Sequence, residues 1–346
     1  MIFKRLFLAL IAPFILFSCD SDDVDNAPLG SYDNGLFVLN EGGFGEVTYI
    51  SDDLQTVQQD VFSTVNGDEL NLGTYNQSMF FDGDRAYIIS NGSHKITVVN
   101  RYTFEYIATI STGMMIPRYG VVYNGKAYVT NINDYAVATD DFITVIDLDD
   151  HSTQTIAVNN QAERLVEYNG KLYVSGGAFG MGDTISVIDT ATNAIQTTIT
   201  VAEAPNSLEV KDGILYVLCG SFSQNSKLVK IQLSNNTIID EVEFPATMGN
   251  ASNLDIEEDW IYFSVGAKVY KIATTATTVS NNPLFDTQSD SDYIGYGFAV
   301  NNGRIYISEA AEDFTSNGKI YIYSVVGTFI DDVPVGLGPN GFYFNN

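Results

Sequence analysis

One pattern recurs through most of the chain. A two-residue turn is followed by a short strand with tyrosine at its centre. Asp82-Gly83 precedes Ala86-Tyr87-Ile88, Asn124-Gly125 precedes Ala127-Tyr128-Val129, and Asn169-Gly170 precedes Leu172-Tyr173-Val174. Asp212-Gly213 leads into Leu215-Tyr216-Val217, Glu258-Asp259 into Ile261-Tyr262-Phe263, and Asn302-Gly303 into Ile305-Tyr306-Ile307. The second turn residues are 42, 45, 43, 46 and 44 positions apart. A period of this size with several strands per unit predicts the blades of a β-propeller. Asn-Gly and Asp-Gly suit two-residue hairpins because both central residues need positive φ.

Each unit reads as four strands. An inner strand enters the turn, and the tyrosine strand leaves it. A variable loop leads to an alternating third strand such as Ile143-Thr144-Val145-Ile146-Asp147, and a fourth strand such as Ile195 to Ile199 lies outermost. The ends complement each other. Gly341-Phe342-Tyr343-Phe344 has the form of an inner strand, and Leu36-Phe37-Val38-Leu39 that of a second strand with no inner strand before it. The expectation is an all-β, seven-bladed propeller over residues 35–346 whose C-terminal strand closes the first blade. The expected blades are 35–77 with 341–346, then 78–118, 119–164, 165–206, 207–250, 251–295 and 296–340. Blade 251–295 is the least regular, since its turn lacks glycine.

Residues 1–18 combine Lys4 and Arg5 with an apolar run from Leu6 to Phe17, the layout of a signal peptide rather than a membrane span. Leu16-Phe17-Ser18-Cys19 resembles a lipobox, although Phe17 replaces the usual small residue. That resemblance makes Cys19 the lipid anchor and 19–34 an acidic tether. Asp20-Ser21-Asp22-Asp23 is similar to the surface-export signal of Bacteroidota lipoproteins, which implies the outer membrane and exposure at the cell surface. Membrane contact is then through the lipid only. The other cysteine, Cys219, lies in an apolar strand and reads as a buried thiol.

The formal charge of −27 repels nucleic acid and anionic headgroups. The chain has two histidines, His94 and His151, and neither lies in a metal-spaced cluster. His94 lies in a second-to-third-strand loop and reads as an exposed loop histidine, with ligation of cobalt or another metal as the alternative. No catalytic triad is readable, so the expectation is a binding protein without cofactor, not an enzyme.

Residues just before each inner strand are expected at the channel mouth. They are Asn76, Gln77, Arg118, Tyr119, Glu163, Arg164, Asn206, Asn253, Tyr296 and Asn340. Their amides and guanidinium groups suit a ligand rich in amides, hydroxyls or phosphate, or else cap backbone groups and hold blades together. Longer loops add Phe44, Asn91, His94, Tyr135, Phe179, Met181, Phe222 and Phe314, whose aromatics either form a binding rim or fold back onto the blade tops.

Tyr128-Val129-Thr130-Asn131 resembles the signature of YVTN, or YncE-like, propeller repeats, and Gly336-Leu337-Gly338-Pro339 resembles their return step. On a surface lipoprotein, this fold is similar to the corrinoid-capturing BtuG-type proteins. The resemblance implies capture of a small molecule, cobalamin first, for a TonB-dependent transporter. An adhesion or scaffold propeller that binds protein or glycan is the alternative.

Overall fold

The computed structural model describes residues 29–177 and 180–345. The expected signal peptide, Cys19 and the acidic run lie outside the described residues. Seven four-stranded antiparallel sheets follow one another around a channel. Their inner strands are Pro339–Asn345, Asn76–Asp82, Pro117–Tyr123, Leu165–Tyr168, Pro205–Lys211, Ser252–Glu257 and Ile294–Asn301, defining blades 1 to 7.

The recurring tyrosine explains much of the packing. Tyr87, Tyr128, Tyr173, Tyr216, Tyr262 and Tyr306 are all buried, because each second strand is covered on both faces. Their rings fill the wedge between neighbouring sheets. Tyr87, for example, stacks on Phe80 at 4.9 Å within a cluster that includes Ala127 and Val129 of the next blade. Full burial of such side chains contributes about 2–3 kcal/mol each before entropy is counted.

The expected turns form with one shift. Asn124-Gly125, Asn169-Gly170, Asp212-Gly213 and Asn302-Gly303 have positive φ at both positions. In blade 2, Asp82 pairs with Arg85, so the tip is Gly83-Asp84, one residue later than expected. Gly83 supplies the positive φ there. Blade 6 is irregular as anticipated: Glu258 takes φ 52 at its turn, and the outer strand is only Phe285–Asp286. Blade 1 also has a short outer strand, Val57–Gln58, followed by a one-turn helix, Val61–Asn66, that buries Val61 and Phe62.

The C-terminal strand closes blade 1 in the expected place. Leu36 pairs with Phe344, Phe37 with Tyr343 and Val38 with Phe342. Asn345 then acts as a clasp. Its Nδ2 donates to the carbonyls of Tyr32 (2.6 Å) and Arg101 (3.0 Å), and its Oδ1 accepts from Arg101 Nε. Packing therefore starts ahead of residue 35, inside the stretch expected to be tether. Tyr32 is buried edge-on against Tyr49 and Phe104. Asn345→Ala leaves these buried groups unpaired and is expected to lower unfolding free energy by about 1–3 kcal/mol. Urea denaturation checks this; an unchanged midpoint refutes the clasp.

Candidate functional site

The antiparallel order of each blade sorts its connections. Two-residue turns gather on one face. On the other face gather the loops from second to third strand and from outer strand to the next inner strand. The exposed apolar side chains of those loops share that second face: Phe44, Tyr135, Met181 and Phe222 from second-to-third-strand loops, and Tyr75 and Met115 from the approaches to inner strands. Phe222 is 84% exposed and Phe44 75%. Such side chains are ordinary singly, but several on one face mark an interaction surface. Phe314 takes the other of the two expected courses and leans on the blade top, edge-on to Tyr293 (4.8 Å) and Tyr296 (5.6 Å). Phe179 lies outside the described residues.

The residues expected at the channel mouth fall into two sets. Four asparagines serve the ring itself. Asn206, Asn253 and Asn340 donate from Nδ2 to the carbonyls of Ala251 (2.9 Å), Gly295 (2.8 Å) and Asn76 (2.7 Å), each in the following blade. Asn76 is fully buried and accepts from Ser90 Oγ at 2.7 Å. Hydroxyls do the same elsewhere. Ser78 Oγ donates to Arg118 O (2.6 Å), Thr130 Oγ1 to Glu163 O (2.7 Å) and Ser308 Oγ to Pro339 O (2.5 Å). Among the described residues, the step from blade 4 to blade 5 alone has no such bond near the channel; its hydroxyl contact is farther out, where Tyr173 OH donates to Asn236 Oδ1 (2.9 Å) and Leu233 O (3.4 Å).

The second set is a polar cluster at the mouth. Arg118 is buried and makes a two-pronged pair with Glu163, Nε to Oε2 at 2.9 Å and Nη2 to Oε1 at 2.7 Å. Its Nη1 also donates to Gln77 Oε1, which accepts from Asn91 Nδ2 at 2.9 Å. Gln77 Nε2 donates to Tyr119 OH at 2.9 Å. Burial disfavours the Arg118 charge, but Glu163 more than offsets that and holds its pKa above the ordinary value. The Tyr296 hydroxyl donates to Glu41 across the closing blades, and burial and that carboxylate push its pKa up. Arg164 differs from Arg118. It is exposed, its guanidinium sits 4.0 Å from the Tyr119 ring centre, and its side chain makes no hydrogen bond among the described residues.

Above the unstapled step lies a cleft of about 440 Å³. Tyr119 and Arg164 form one wall, Met181 and Phe222 another, and Pro205, Asn206 and Ala251 the base. The Gly-rich loop of blade 4 makes room for it. A Cβ at Gly180, which has φ 79, would lie 2.6 Å from the Phe222 ring.

Farther along the inner strands lies a second void of about 230 Å³ that Tyr119 and Arg164 also line. Two carboxyls that sequence reasoning missed reach it, Glu209 and Asp255. The available signal was a charged residue inside an otherwise apolar inner strand, Ser207-Leu208-Glu209-Val210. Burial raises both pKa values; the charge of Asp255 raises that of Glu209 further, while Arg164 opposes it.

His94 is tied into its loop. Its Nδ1 accepts the Ile116 N–H at 2.8 Å, so the approach to the blade 3 inner strand employs that ring nitrogen. His151 occupies an outer turn, half-buried. No group of three or more histidine, cysteine or carboxylate side chains is placed for a metal among the described residues. Cys219 is buried, and burial pushes its thiol up to about 12.

The chain belongs to the family described as Domain of unknown function (DUF5074), which it matches over residues 34–344. No curated protein matches it in sequence. Solved structures match in shape. Hydrazine synthase of Kuenenia stuttgartiensis is 18% identical, covering 75% of this chain and 86% of that one, with a TM-score of 0.61. BamB of Moraxella catarrhalis is 15% identical (89% and 85% covered, TM-score 0.55). Apo AztD of Citrobacter koseri is 11% identical (89% and 96% covered, TM-score 0.54). At these identities the likeness concerns the fold alone.

Two outcomes follow from the geometry. Arg118→Ala strands the Glu163 carboxylate and is expected to cost about 3–5 kcal/mol of stability, read by denaturant unfolding; a loss under about 1 kcal/mol contradicts the buried pairing. Because Glu209 holds its proton more tightly when folded, the unfolded chain ionises first. Its contribution is complete below the unfolded carboxyl pKa and is lost as pH rises through the raised folded value. The melting temperature of the parent is expected to decline over that window relative to Glu209→Gln, and parallel profiles for the two chains reject the shift.

Proposed function

We propose that this propeller is a capture protein that holds a bulky, amphipathic small molecule on its loop face, with a corrinoid as the first ligand to test. The observation that carries the reading is the cleft over the blade 4–5 step. Its wall combines Phe222 and Met181 with an exposed arginine stacked on Tyr119, and nothing in the ring's own construction needs those groups there. Apolar walls with a few convergent polar groups are the usual make-up of small-molecule sites. Arg164 and Asn250 supply donors suited to amide or phosphate oxygens. The protein acts without catalysis in this reading.

The lipobox-like Leu16–Cys19 and the acidic run behind it support a lipid-anchored protein at the outer-membrane surface that passes its ligand to a TonB-dependent transporter. A second reading, docking of a protein or glycan, is favoured by one observation. The exposed side chains Phe44, Tyr75 and Met115 extend the apolar surface over blades 1 to 3, beyond the cleft.

Isothermal titration with cobalamin and with cobinamide tests the ligand. Saturable binding is expected, weakened about tenfold in Phe222→Ala through loss of a buried aromatic contact. Arg164→Ala is expected to weaken it as well. Absence of heat with both corrinoids removes this ligand class. Recovery of a transporter or glycan by the parent chain and not by a Phe44→Ala/Tyr75→Ala variant, without small-molecule binding, supports the second reading.

A further inference from the structure

The second void has a different chemistry from the cleft itself. Glu209 projects into it from blade 5 and Asp255 from blade 6, framed by Leu208, Leu254 and Phe298. Asp255 is already employed by the fold. Its oxygens accept the N–H groups of Ile256 (2.7 Å) and Val300 (2.6 Å), the latter in the next blade. Glu209 makes no hydrogen bond among the described residues. It is only partly exposed, and what it faces is the channel's void, deep inside the ring. A carboxyl in that position is costly unless a partner arrives, and native structures rarely leave one without.

The groups on elements packed around it limit what the partner is. Arg164 and Glu167 come from blade 4, Tyr216 stands opposite in its own sheet, and Asp255 and Glu257 come from blade 6. Tyr119 lies across the channel. The one cation among them, Arg164, stands at the mouth against Tyr119 without bonding Glu209. A hard divalent ion needs six to eight oxygens, and this void offers two carboxyls, one committed. An alkylammonium fits better. Its charge meets a carboxylate, its methylenes meet leucine, and its head meets the aromatic ring of Phe298.

We propose that the channel void is a subsite for a primary ammonium group, the amine-bearing arm of a ligand whose body occupies the cleft, with Glu209 as its counter-ion. The inference rests on the cleft being a ligand site but not on corrinoid chemistry. On binding, the Glu209 carboxyl gives its proton to solvent as the ammonium takes its place.

The test uses the full chain and n-butylammonium chloride, with tetramethylammonium chloride at equal ionic strength as the reference. Saturation-transfer NMR reads binding, and pH change in weakly buffered solution reads proton release. Expected are saturable butylammonium binding, up to about one proton released per molecule bound near neutral pH, and binding about tenfold weaker with no proton release in Glu209→Gln. Arg164→Ala removes a competing cation and is expected to tighten butylammonium binding. The same variant weakens a corrinoid, so the two readings fail separately. Equal affinity of parent and Glu209→Gln, or preference for tetramethylammonium, overturns the proposal. If Glu209→Gln does not fold, the parent decides. Butylammonium affinity that rises as pH climbs above the ordinary carboxylate range upholds the site, and a flat profile rejects it.

Discussion

The pairing of Phe342–Phe344 with Leu36–Val38 is the contact on which the molecule depends. A propeller has low internal redundancy around its circumference. If one junction opens, two sheet faces and two edges meet water at once. The closing strand seals that junction with a full ladder, and Asn345 adds side-chain bonds to Tyr32 and Arg101. The clasp thereby ties the closing strand to Tyr32 and to the outer turn of blade 2.

Around the ring, closure is repeated in smaller form. An amide or hydroxyl near the channel donates to the next blade's backbone at six of the seven steps among the described residues. Each buried carbonyl is thereby satisfied without water. The remaining step, blade 4 to blade 5, is where the Gly-rich loop, Arg164 and Phe222 create the cleft. Site and scaffold therefore use neighbouring positions of one repeat. Where the position before the inner strand staples, the ring tightens, and where it does not, a cavity opens.

This division explains which site residues were legible. Register alone puts Asn76, Asn206, Asn253 and Asn340 at the starts of inner strands, and all four stand there. Register cannot tell whether an amide faces the void or a carbonyl 2.8 Å away in the next blade, because the distance depends on how two sheets pack. The same holds for the arginines. Arg118 and Arg164 both stand just before an inner strand, but one residue out of register, Arg118 matching Glu163 and Arg164 matching Tyr119, and only Arg118 is buried and paired with Glu163. Phe314 folds back onto the blade top because Tyr293 and Tyr296 lie within reach.

What the sequence by itself determined is the repeat: seven units, nearly all of their turns, the tyrosine at the centre of six second strands and the strand exchange between the ends. These follow from local chemistry, since Asn-Gly turns and alternating apolar residues have few other uses. Only the tertiary structure decided where the cleft lies, which polar side chains are staples, and that Glu209 and Asp255 share a chamber. Those features arise between blades, from residues about 45 positions apart whose meeting is set by the ring's curvature and not by any local pattern.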